Sequence, residues 1–149
     1  MDNQFLFHFF YEVMNLRKCY FTIRANNPGN QIEFTENYLV VAFSTHSRNL
    51  IEFFHDKKAK IKATDYVNTL TIEEVEKEFP EIQEYYDILC QNHSHLHYRI
   101  IENKGISPVQ IVFPLYKKLK VILIKFLKEL PKEDLPKEII YLAKCFDQE

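Results

Sequence analysis

The segment HSHLHYR, residues 93 to 99, places three histidines and an arginine within seven positions. Imidazoles so dense can ligate a transition metal, exchange protons, or simply keep a helix face wet, and the three uses need different residues to share a face. On a helix, at about 100° per residue, His93 and His97 face together while His95 lies on the other side. The three rings therefore cannot converge on one ion. His93 and His97 form the i,i+4 pair that zinc would need, but Ser94 stands where an HExxH motif carries its glutamate, and further ligands would have to come from His46 or His55.

The other face carries Asn92, His95, Arg99 and Glu102 at steps of three and four. A histidine titrating near neutrality moves protons, and a neighbouring guanidinium holds a phosphate or a developing negative charge. Cleavage of a ribonucleotide phosphodiester through its own 2′-hydroxyl needs those two functions and no metal-bound water. The plainer alternative is a solvated His–Arg–Glu strip. A comparable segment lies upstream in THSRNLIEFF, residues 45 to 54. There His46 falls on the apolar stripe and reads as a hydrogen-bonded core histidine. Arg48 and Glu52 have the spacing of a surface ion pair. A helical neighbour that brought His95 to Arg48 would give Arg48 a part in the site.

The elements that must position these residues read as helices. Phe5, Phe9, Val13, Leu16 and Tyr20 repeat every three or four residues and predict a first helix from about Asn3 to Ile23. NNPGN, residues 26 to 30, ends it with turn-forming residues. A second helix is expected from about Gln31 to His55, its stripe being Leu39, Phe43, His46, Leu50 and Phe53 or Phe54. Thr71 with Glu74 three positions on has the spacing of a capping box, which opens a short acidic helix stopping before Pro80. Ile82, Leu89, His93, Leu96 and Ile100 put HSHLHYR inside a third long helix that leaves at Gly105 and Pro108. Val112, Leu115, Leu119, Ile122 and Phe126 predict another from about Val109 to Leu130, and a short helix from Pro136 to about Phe146 follows.

A chain of 149 residues, 46% hydrophobic and 15% aromatic, suits one compact domain, and only two glycines leave little material for the tight turns of a sheet. The expectation is a single-domain, all-α bundle of four or five helices. Net charge is −2, so bulk electrostatics does not draw this chain to nucleic acid. The charges are segregated, however. Acids run from Glu73 to Asp87, and Lys117, Lys118, Lys120, Lys125 and Lys128 follow on a later helix. Two solvated faces, or surfaces offered to a partner or a second copy, are both consistent with that. Cys19, Cys90 and Cys145 suggest neither a disulfide framework nor a cysteine zinc site. The apolar run after Asp2 is interrupted by His8, Glu12 and Asn15 and lacks a cleavage site or the length of a span, so the cytoplasm is the expected compartment.

Three segments, AFSTHSRNLIEFF, ATDYV and HLHYR, taken in this order and at these separations, resemble a group of small bacterial proteins related to the HEPN superfamily. The resemblance covers roughly residues 31 to 105. It implies an all-α HEPN-like domain of a toxin–antitoxin or defence system, dimeric, working without a cofactor or metal on RNA or with a cognate antitoxin or regulatory protein. Position by position it makes His95 and Arg99 the catalytic pair, with His46, Arg48 and Asn49 in the earlier box. The superfamily's ribonucleases carry an arginine shortly upstream of the histidine, where this chain has Cys90, Gln91 and Asn92. Arg99 or Arg48 takes its place, or the domain binds without cutting. The expected function is thus a metal-independent RNA-binding or RNA-cleaving domain resting on His95, Arg99 and Arg48, with a non-enzymatic interaction domain as the alternative.

Overall fold

A computed structural model describes residues 3–27, 37–56, 58–94, 108–133 and 135–148. Six α-helices stand among them: α1 (Asn3–Asn26), α2 (Asn37–His55), α3 (Ile72–Glu78), α4 (Ile82–Ser94), α5 (Pro108–Glu129) and α6 (Lys137–Asp147). A single 3-10 turn at Ala63–Asp65 joins them, and no strand is present among these residues. The described helices number six rather than the four or five expected of the bundle, and the two short ones read from the sequence, α3 and α6, each bury a face of their own, Val75 in one and Ile139, Leu142 and Phe146 in the other.

α1 runs three residues past its expected end. The Asn27 side chain donates to the Ile23 carbonyl at 2.8 Å and its backbone N–H to Arg24, which satisfies carbonyls left open by the last turn. At α3 the Thr71 hydroxyl accepts from the Glu74 N–H, as the capping box requires. The carboxylate of Glu74 turns away to Lys125 instead, at 3.1 Å. Pro114 lies in the second turn of α5, where its missing N–H costs one bond and the helix continues.

The core is aromatic at its centre. Phe126 of α5 sits against Phe9 of α1 at 5.0 Å between ring centroids and against Phe53 and Phe54 of α2 at 5.3 and 5.6 Å, in tilted and edge-on arrangements that suit ring quadrupoles. Phe5 stacks on Tyr66 of the connecting segment, and Tyr20 on Tyr116. These pairs also fix the topology. Contacts from Phe5 to Phe53 and from Glu12 to His46 make α1 and α2 antiparallel. Those from Phe9 to Phe126 and from Tyr20 to Tyr116 do the same for α1 and α5.

The segregated charges meet within the chain. Lys118 of α5 reaches Glu81 at 3.6 Å, and Lys125 reaches Glu74 and Glu78 at 3.1 and 3.7 Å. The acidic segment and this side of the lysine-bearing helix thus complement each other within the chain. No helix among the described residues is long and apolar enough to cross a membrane.

Candidate functional site

α2 carries polar side chains on two faces, and each face meets a different neighbour. His46 and Asn49, three apart, turn to α1, where Glu12 receives both: His46 Nδ1 lies 2.6 Å from one carboxylate oxygen, and the Asn49 amide donates to the other at 3.2 Å. A carboxylate oxygen accepts, so Nδ1 is the donor of this bond. Tyr11 closes the group with its ring edge-on to His46, centroids 5.9 Å apart. His46 is thus the hydrogen-bonded histidine its place in the stripe suggested. The sequence did not reveal its partner, although Glu12 is the one acidic residue between Asn3 and Asn26 and stands next to the buried Val13. Ser44 and Ser47 of α2 are buried as well, small enough to let neighbouring helices close on it.

The second face turns to α4. Arg48 Nε lies 3.6 Å from Glu52, an ion pair too long to be a hydrogen bond, and this buried nitrogen has no hydrogen-bond partner among the described residues. Glu52 instead accepts from the Tyr86 hydroxyl at 2.9 Å. Burial, followed by hydrogen bonds to Cys90 and Glu52, pushes the Tyr86 phenol well above the ordinary tyrosine range. Tyr86 therefore stays a donor at any physiological pH, and the Glu52 oxygen it bonds is the one that faces Arg48 at 3.6 Å. One turn on, His55 bonds Glu76 of α3 at 2.9 Å.

Beside this face opens a cleft of about 470 Å³ lined in part by Glu52, His55, Asp56, Glu76 and Lys58. Three carboxylates against one lysine make it a poor seat for phosphate. Arg48, one turn before Glu52 on the same face of α2, is the group there suited to an anion. Because Gln83 and His55 border the same cleft while Tyr86 meets Glu52, α2 and α4 are antiparallel. The turn of Cys90 then comes level with that of Arg48.

Of the residues expected at the site, Arg48 is therefore described, on the face that α4 covers. His95 and Arg99 lie outside the described residues, as do His97 and the side chain of His93. The described part of α4 ends at Ser94, one position before His95. Among the described residues no three His, Cys, Asp or Glu side chains come together as a metal site. Comparisons with protein-family models, with curated proteins and with solved structures gave no match to this chain.

Proposed function

We propose that the chain is a HEPN-like helical domain that binds or cleaves RNA without a metal, in a bacterial toxin–antitoxin or defence setting, as a homodimer or with a cognate antitoxin or regulatory protein. The observation that carries the reading is Arg48. Its Nε is buried without a hydrogen bond, its natural carboxylate partner is engaged by Tyr86, and it lies on the face covered by the helix whose sequence continues into His95 and Arg99. An arginine whose ion pair is too long for a hydrogen bond keeps donors for an anion from outside. In this reading Arg48 and Arg99 hold the phosphate and stabilise the phosphorane, while His95 moves the proton of the 2′-hydroxyl or of the leaving group.

The test is incubation with single-stranded and structured RNA in EDTA. Cleavage should yield products with a 2′,3′-cyclic phosphate and should fall roughly a hundredfold in His95→Ala and in Arg99→Ala, the usual loss for one acid–base or charge-stabilising group. A domain that binds without cutting should lose RNA affinity in Arg99→Ala. Wild-type protein that neither cuts nor retains RNA would remove the proposal.

A further inference from the structure

α5 and α6 meet along a groove of about 350 Å³ on the molecule's surface. Its walls are apolar, with Ile124 from α5 and Ile140, Ala143 and the largely buried Phe146 from α6. Ile140 is 44% exposed, and Val121, one turn before Ile124 on α5, is 48% exposed. Lys128, Lys132 and Lys144 border the groove, with Asp147 the one carboxylate in its lining. The contrast with the other side of α5 is informative. Lys118 and Lys125 are matched there by Glu81, Glu74 and Glu78, whereas the three lysines of the groove make no ion pair with any described residue.

Two neighbouring helices with an apolar seam between them present the ridges and groove into which a third helix packs, its apolar residues recurring at i, i+3, i+4 and i+7. Ala143 lets such a helix approach closely. Lysines on the border favour carboxylates on its flanks and disfavour cationic partners. Phe146 in the groove's lining is only 5% exposed and lies under the Arg17 guanidinium at 5.1 Å, so it offers bases no open face to stack on, and no convergent polar groups orient a small ligand. We infer that the groove between α5 and α6 is the docking site for an acidic amphipathic helix of a partner protein. The inference is independent of any action on RNA.

The probe is a fluorescein-labelled synthetic peptide of about four helical turns, with Leu at i, i+3, i+4 and i+7 and Glu at the flanking positions. Its anisotropy is followed against the intact chain. The peptide should bind, and binding should weaken roughly tenfold or more in Lys128→Glu with Lys144→Glu, and likewise in Ile140→Glu, whereas Lys117→Glu should matter little. All these side chains are exposed, and circular dichroism checks that each variant remains folded. Failure to bind at near-millimolar protein, equal binding of the peptide with Lys in place of Glu, or indifference to both groove variants would overturn the inference. So would displacement of the peptide by single-stranded RNA, or a doubled sedimentation mass abolished by Ile140→Glu, which would give the groove to nucleic acid or to a second copy.

Discussion

Replacing Glu12 with Ala should loosen the contact between α1 and α2 by an amount that can be worked out in advance. The carboxylate accepts from His46 and from Asn49, at 2.6 and 3.2 Å, and its loss leaves two donors without an acceptor. A hydrogen bond to a charged group contributes about 1.5–3 kcal/mol when buried. The side chains of His46 and Glu12 are 14% and 25% exposed, so water recovers part of each loss, and a net cost of about 1–3 kcal/mol follows. For a chain of this length that lowers the melting temperature by roughly 2–12 °C, at about 2–4 °C per kcal/mol. Urea unfolding of Glu12→Ala, His46→Ala and the double variant provides the assay, since residues in direct contact show coupling of about 0.5 kcal/mol or more. Glu12→Gln should recover part of the loss because its amide oxygen still accepts. A cost for Glu12→Ala below about 0.5 kcal/mol, with no coupling to His46, would show that the pair does not hold the helices together.

Truncating Phe126 to Ala should cost about 3–5 kcal/mol or more, as its fully buried ring contacts Phe9, Phe53 and Phe54, and chemical denaturation would register it. The raised phenol of Tyr86 binds its proton more tightly folded than unfolded, so its contribution is complete below the unfolded value of about 10 and is lost as pH rises beyond it. Melting temperatures between pH 9 and 11 should accordingly fall less steeply in Tyr86→Phe than in wild type. Reversing Lys125 to Glu sets it against Glu74 and Glu78, and the resulting loss of stability should shrink as salt is added.

The helices were legible because their apolar residues repeat at the helical period and their ends carry recognisable residues, Thr71 and Pro80 among them. The boundary at Asn27 was not, since it depends on a side chain folding back onto Ile23 rather than on residue type. At the site, the sequence singled out His46 as hydrogen-bonded and Arg48 with Glu52 as a pair, and both relations are present. The partners Glu12 and Tyr86 are each 34 positions away from the residues they bond. Helical period says which residues share a face, but the pairing of faces is set by packing. The same limit applies to the charges. Acidic and basic runs were visible in the chain, yet only packing showed that Lys118 and Lys125 are consumed internally while Lys128 and Lys144 are not.

The central claim is that Arg48 on α2 is held for an RNA phosphate rather than for the fold. Its ion pair with Glu52 is long and partly exposed, so Arg48→Ala should cost only a few tenths of a kcal/mol and move the melting temperature by roughly 2 °C at most. The decisive measurement sets that shift beside RNA cleavage in EDTA and RNA affinity by anisotropy, for wild type, Arg48→Ala and Arg48→Lys. The proposed site predicts a cleavage rate or affinity lowered roughly a hundredfold in Arg48→Ala and partly restored in Arg48→Lys, with all three proteins melting together. Unchanged cleavage and affinity in Arg48→Ala, or a loss that merely tracks a large drop in stability, would contradict it.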